Sequence, residues 1–162
     1  MEHFGSPALR RLLEFFPSAV EATHADFGDA TARVARGSLL EIMRLLRDEP
    51  GLDFEMLTDL TAVDYLGEEP RFEMVYHLYS LKRNHRVRIK SRVPEEDPEI
   101  ASLVSLWPSA DWMEREVWDL YGIRFRGHPD LRRILLYDEF EGHPLRKDYP
   151  KEKRQPLVGP RN

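Results

Sequence analysis

The chain contains no cysteine. That removes disulfides, thiol nucleophiles and any iron–sulfur cluster held by its own thiolates. Glycine is scarce, nine in 162 residues, and never gathers into G-x-G-x-x-G or a P-loop, so the usual phosphate cradles of dinucleotides and nucleotides are missing. No apolar run approaches the roughly 18 residues of a membrane span. The start, Met1-Glu2-His3-Phe4-Gly5, lacks the basic and apolar regions of a secretory leader. Neither a Gly-x-Ser-x-Gly elbow nor His-Glu-x-x-His occurs. Redox work would need its flavin and clusters on other chains, and contact with a membrane would have to come through partners.

What is present describes a globular domain with a charged surface: 41% hydrophobic and 33% charged residues, with a formal net charge of -5. The length suits one core plus a tail. The acidic balance disfavours nucleic acid and anionic membrane as partners.

Periodicity divides the chain. Residues 7 to 16 put Leu9, Leu12, Leu13 and Phe16 on one helical face. Two short strands are expected at Val20 to Thr23 and Thr31 to Arg36, around a Gly28-Asp29 turn. A helix follows, with Ser38 as cap, Glu41 closing the capping box, Leu39, Ile42, Met43 and Leu46 as buried stripe, and Pro50-Gly51 as stop. From Phe54 to Val93 the period becomes two, broken at Gly67-Glu68-Glu69-Pro70 and Lys82-Arg83-Asn84-His85, which predicts a three-stranded antiparallel meander. The first of these strands places Phe54, Met56, Thr58, Leu60 and Ala62 on one face. Asp97-Pro98 reads as the start of a helix burying Ile100, Leu103, Val104 and Trp107. Another helix from Ser109 or Asp111 aligns Met113, Val117, Leu120 and Tyr121 and stops at Gly122.

The expected fold is α+β: a two-layer structure with a mainly antiparallel mixed sheet of about five strands, helices on one face, and an extended C-terminal arm. The division is residues 1–125 for the domain and 126–162 for the arm. Residues 122–162 carry ten Lys or Arg against six Asp or Glu, with prolines at 129, 144, 150, 156 and 160. Apolar residues after Leu136 are too sparse for a second core, so such an arm gains order by lying on something else.

Three constellations could carry chemistry. Glu114, Arg115, Glu116 and Asp119 crowd the last helix, with Glu116 and Asp119 three apart and Arg115 and Asp119 four apart. They are either carboxylates paired for acid–base work or, the plainer reading, a charged face in solvent or against a partner. Two phrases echo each other, Gly127-His128-Pro129-Asp130-Leu131-Arg132-Arg133 and Gly142-His143-Pro144-Leu145-Arg146-Lys147-Asp148. Their histidines lack metal-ligand spacing and a third ligand, and Gly-His-Pro more simply makes a fixed turn. The row Arg86, Arg88, Lys90, Arg92 gives one strand a basic face, but without the aromatics that RNA binding wants. It reads as a solvated sheet face or a surface for an acidic partner. Trp107, Trp112 and Trp118 are mostly core by helical spacing, leaving at most one to anchor a partner.

The string Glu114-Arg115-Glu116-Val117-Trp118-Asp119-Leu120-Tyr121-Gly122-Ile123 continues through Gly127 to Leu135 and then Gly142 to Pro150. This series strongly resembles the signature of one family of respiratory proteins, the 30-kilodalton or C subunit of proton-pumping NADH:quinone oxidoreductase (NDH-1, respiratory complex I). The resemblance is dense over residues 94–150, and the preceding pattern is compatible with it. Departures lie at Leu136-Tyr137-Asp138-Glu139, where the family more often reads Thr-Asp-Tyr-Gly.

The resemblance implies a peripheral-arm subunit on the cytoplasmic side of the inner (cell) membrane, packed against the hydrogenase-like D subunit and near the B subunit. FMN and iron–sulfur clusters would sit on partner subunits, which carry electrons from NADH to quinone while protons are translocated. This chain would have no active site or cofactor of its own. The signature residues from Glu114 to Asp119 and the two Gly-His-Pro segments, His128 to Arg133 and His143 to Asp148, would then meet partner surfaces. Two rivals remain: the equivalent subunit of a membrane-bound hydrogenase or F420H2 dehydrogenase, and a freestanding hydrolase or metal enzyme using Glu116, Asp119, His128 and His143.

Overall fold

The computed structural model describes residues 5–156 and 158. Helix α1 (Pro7–Phe15) opens on Ser6, whose side chain accepts from the Leu9 N–H at 3.5 Å. Proline in the first turn removes an N–H that has no intrahelical partner. Strands β1 (Val20–His24) and β2 (Thr31–Val34) pair antiparallel, and α2 (Leu39–Asp48) buries Leu39, Ile42, Met43 and Leu46. The capping box expected at Ser38 does not form. A 3-10 turn over Arg36–Ser38 leads directly into the helix, and the serine side chain makes no capping bond.

The meander follows as β3 (Met56–Asp64), β4 (Phe72–Ser80) and β5 (His85–Val93). The sheet order is β1-β2-β5-β4-β3, antiparallel throughout except for the parallel β2–β5 pair. Strict alternation fails in one strand. A register shift between Leu57 and Asp59 turns Leu57 inward and leaves Met56 and Thr58 exposed, so the inward face runs Leu57, Leu60, Ala62, Asp64. An extra residue in one strand of a pair re-aims every side chain before it.

Inward residues of β2, β3, β4 and β5 form one hydrophobic cluster with Leu9 and Leu12 of α1, the α2 stripe, and Ala110 and Val117 of the last helix, α3 (Ala110–Tyr121). That is the α+β, sheet-plus-helices arrangement read from the periodicity. Among the described residues no helix is long and apolar enough to cross a membrane.

The helix expected from Asp97-Pro98 is instead a strand, β6 (Glu99–Ala101), paired in parallel with β7 (Arg124–Arg126). Ile100, Leu103 and Trp107 are buried as expected, but from a strand and a following turn. The causes are distant in sequence. The Arg36 guanidinium donates to the Asp97 and Glu99 carbonyls at 2.9 and 3.1 Å, and the Glu114 carboxylate captures the Leu103 N–H at 2.6 Å. These contacts outweigh the weak local preference for a helix. After β7 the arm has neither helix nor strand among the described residues.

Candidate partner-facing site on the last helix and the arm

The residues between Ser109 and Gly122 form a helix that carries acids on both its inner and outer sides. Glu114 and Asp119 are completely buried, whereas Glu116 faces solvent. Glu114 accepts from the Ser102 hydroxyl and the Leu103 N–H, both at 2.6 Å, and thereby fastens the loop after β6 to α3. Burial pushes its pKa up to about 7 despite these two bonds, and the charge of Asp111 adds to the rise.

A folded pKa above the unfolded value makes the protonated form favour the native state. Stability from Glu114 is therefore fully present below about pH 4.5 and is lost as pH rises through about 7. Glu114→Gln should remove this slope. Between pH 5 and 8 the wild type should lose about 2–3 kcal/mol relative to the variant. Burial lowers the pKa of both His77 and His143, which contributes the opposite slope, but to both proteins alike. Urea unfolding of the two at several pH values checks it; parallel stability curves would refute it.

Asp119 anchors the arm. One carboxylate oxygen accepts from the Arg133 guanidinium at 2.6 Å, and the other from the N–H groups of Ile134, Leu135 and Leu136 at 3.1, 2.9 and 2.9 Å. Burial alone would raise its pKa, but these four donors outweigh it and hold the carboxyl below its ordinary range. Arg115 works from the same helix, donating to the Arg132 and Arg133 carbonyls at 3.1 and 3.0 Å while lying over the Trp112 ring.

The two echoing Gly-His-Pro phrases become two pins on that helix. His128 reaches the Asp111 carbonyl near the start of α3 at 3.2 Å, and its Nδ1 accepts from the Asp130 N–H at 3.0 Å, which assigns the ring proton to Nε2. His143 bonds the Asp119 carbonyl near the other end at 3.0 Å. Both preceding glycines, Gly127 and Gly142, have positive φ. Pro129 and Asp130 are exposed, and Arg132 pairs with Asp130 at the surface. Pro144 is half-buried. Among the described residues no group of three or more His, Asp or Glu side chains gathers as a metal-binding set.

The centre of the arm's attachment lies at a residue that no motif marked. Arg71, only 2% exposed, donates to both oxygens of the equally buried Asp64 at 2.8 Å, to both oxygens of Asp148 at 2.8 and 3.1 Å, and to Glu95 at 2.6 Å. Asp64 also accepts the Lys147 N–H at 2.7 Å, and the Arg146 Nε donates to the Tyr121 carbonyl at 2.6 Å. The Arg71 guanidinium holds the Asp64 and Asp148 carboxyls below their usual range. One signal was available: Asp64 continues the even-numbered inward face of its strand, and a buried carboxylate there requires a cation.

The basic row on β5 is largely neutralised by the chain itself. Arg88 pairs with Asp29, Lys90 with Glu73, and Arg92 with Glu68, while Arg86 lies 4.4 Å over the Tyr79 ring. Of the tryptophans, Trp107 is 4% exposed, Trp118 packs half-buried on the core, and Trp112 is 64% exposed. Trp112 and Glu116 face outward from α3, and Leu135, 62% exposed, does so from the arm. The site is therefore a charged lattice, closed on itself, that presents the large apolar side chains of Trp112, Leu135 and Leu145.

Residues 32–155 match the family model described as the respiratory-chain NADH dehydrogenase, 30 Kd subunit. The chain belongs to this family. It is 46% identical over 154 residues to the NADH-quinone oxidoreductase C subunit of Citrifermentans bemidjiense, covering 94% of each chain. With the corresponding C subunit of Geobacter sulfurreducens it shares 46% identity over 155 residues, again 94% of each. Among solved structures, the trypsin-resistant fragment (1-134) of Nqo5 superposes with TM-score 0.67 at 34% identity, covering 76% of this chain and 99% of that one. A chain of the archaeal membrane-bound sulfane sulfur reductase shares the fold, with TM-score 0.74 at 24% identity over 89% of this chain and 84% of that one. The family match takes in most of the sheet and most of the arm, and its span covers Asp64 and Arg71 as well as the segments that fasten to them.

Proposed function

We propose that this chain is a non-catalytic subunit of the peripheral arm of the proton-translocating NADH:quinone oxidoreductase. It supports assembly near the quinone-reducing end, on the cytoplasmic side of the membrane, which it meets only through the complex. Electrons pass from NADH through FMN and iron–sulfur centres on other subunits, and this chain binds no cofactor. Its partners are the D and B subunits.

The observation that carries the reading is the fate of the signature residues. Asp119, His128 and His143, three of the four groups that the hydrolase or metal-enzyme reading would use, are engaged in bonds to backbone that tie the chain's own segments together, as is Glu114, while the fourth, Glu116, faces solvent. What remains outward is Trp112 with Leu135, Leu145 and Glu116, the composition of a protein interface whose energy sits in a few aromatic anchors. The exposed ends of Asp130, Arg132 and Lys147 supply a polar rim. We also propose the division into a domain of residues 1–125 and an arm of residues 126–162. The relative described as a trypsin-resistant fragment ending at its residue 134 supports it.

Affinity purification of the tagged chain from its native cell tests the assignment. Recovery of the D and B subunits in fixed ratio is expected, with flavin and iron retained by the assembly and lost from the separated chain; their absence from the purified material would end the reading. Trp112→Ala refines it. Because the ring is mostly in solvent, folding stability should change by no more than about 0.5 kcal/mol. Affinity for the partner should fall about 30-fold, as for an interface hot spot. Unchanged incorporation into the complex would remove Trp112 from the interface.

A further inference from the structure

We infer that residues 144–149, beyond the His143 pin on Asp119, form a strap that closes on a socket around Arg71, and that this closure is a step separate from folding of the domain. The inference deepens the proposed assembly role and rests on it, because the closed strap completes the surface offered to the partner.

The socket belongs to the domain. Arg71 and Asp64 flank the turn between β3 and β4, and each is 2% exposed. A guanidinium has five N–H donors, and all five are used here: two on Asp64, two on Asp148, one on Glu95. The two kinds of acceptor differ in setting. Asp64 is buried with Arg71, whereas Asp148 and Glu95 are 50% and 51% exposed. When the strap lifts, the bidentate Asp64 pair stays intact and the donors released from Asp148 lie on the watered side. Opening thus leaves no buried charge without a partner, the circumstance that makes broken ion pairs costly.

The other fastenings of the strap have the same character. Leu145 donates to the Leu120 carbonyl at 3.1 Å and Arg146 to that of Tyr121, two acceptors in the last turn of α3 that have no helical N–H to serve. Lys147 donates to the second oxygen of Asp64, which Arg71 already holds. The contrast is the arm's other anchor. Asp119 is wholly buried, and lifting residues 134–136 would strand it. The arm therefore has one fixed end at Asp119 and one openable end at Arg71. Closure sets Leu145, 49% exposed, and Lys147 facing outward at the end of α3.

Hydrogen exchange on the full chain tests this without the complex, so its outcome is independent of whether the assembly role holds. Asp148→Asn keeps the shape and removes the charge. In this variant the Leu145 and Lys147 amides should exchange about tenfold faster, while those of Tyr76 and Ile89 in the sheet keep their wild-type rates. Raising salt should accelerate the same two amides in the wild type and add nothing in the variant. Arg71→Lys, which cannot make the five-bond fan, should reproduce the local acceleration. Unchanged exchange at Leu145 and Lys147 in Asp148→Asn, or equal acceleration throughout the sheet, would overturn the strap.

Discussion

Arg71→Met should lower folding stability by roughly 3–5 kcal/mol, the usual consequence of removing one partner of a buried ion pair. Against a total of about 5–15 kcal/mol for a domain, that is a large share. Methionine fills the aliphatic space but leaves the Asp64 carboxylate, 2% exposed, with only the Lys147 N–H. The Asp64 contribution to the pH response should also change sign. In the wild type the Asp64 pKa is lowered by Arg71, so its stabilisation is present above the unfolded value of 3.8 and is lost as pH falls through the lower folded value. In the variant, burial without a cation raises that pKa, so on going from pH 7.5 to 5 the protein should gain more stability than the wild type, which gains there through Glu114 but not through Asp64. Urea titrations at pH 5 and 7.5 measure both effects; a variant as stable as wild type at neutral pH would show that the pair is not holding the hairpin.

Gly122→Ala should cost about 2–4 kcal/mol through two additive causes. Gly122 ends α3 in the left-handed region at φ +77, with its N–H bonded to the Trp118 carbonyl at 2.8 Å. An L side chain there is strained by about 1 kcal/mol. The second cause is contact. A Cβ would lie 2.6 Å from two atoms of the His143 ring and 2.9 Å from the end of the Arg146 side chain. Arg146 can swing aside, but the ring is tied to the Asp119 carbonyl and cannot move without releasing that pin. Gly67→Ala supplies the comparison, since Gly67 has φ +92 and nothing within 4 Å of an added Cβ. Equal denaturation midpoints for the two alanine variants would remove the packing contribution and leave only the backbone one.

These two positions show what kind of information one-dimensional reading recovers. The stop of α3 at Gly122 was legible, because a left-handed cap needs only local preference. The reason that no larger residue fits was not legible, because the His143 ring comes from 21 residues further on in a segment without periodic structure. The meander was legible from alternation alone, and so was the buried stripe of α2; on α1 Leu9 and Leu12 are buried as expected, whereas Leu13 is 41% exposed. The register shift in β3 was not, since both Met56 and Leu57 are apolar and either could have faced inward. The segment after Asp97 departs from expectation for a related reason. Its apolar spacing suits a helix, but the bonds from Arg36 and Glu114 and the pairing with β7 come from residues far away in the sequence.

For the candidate site, residue types and spacing marked the right region without ranking its members. Glu114, Glu116 and Asp119 look alike in a charged helical stretch, yet two are wholly buried and one is in solvent. The difference follows from which side of α3 meets the loop after β6 and the returning arm. The paired Gly-His-Pro phrases announce turns through their composition. Their common purpose, pinning the arm at both ends of one helix, emerges only when the chain is folded.

By itself the sequence determined the composition-level exclusions, the α+β class, the order of the principal elements and the family signature. Each of these depends on neighbours within a few residues or on a contiguous string of side chains. Only the tertiary structure decided which charges are buried, where the arm fastens and which surface is left for a partner. Those outcomes depend on Arg71 meeting Asp148 and on Asp119 meeting the 134–136 backbone, encounters that chain folding creates and that no local spacing encodes.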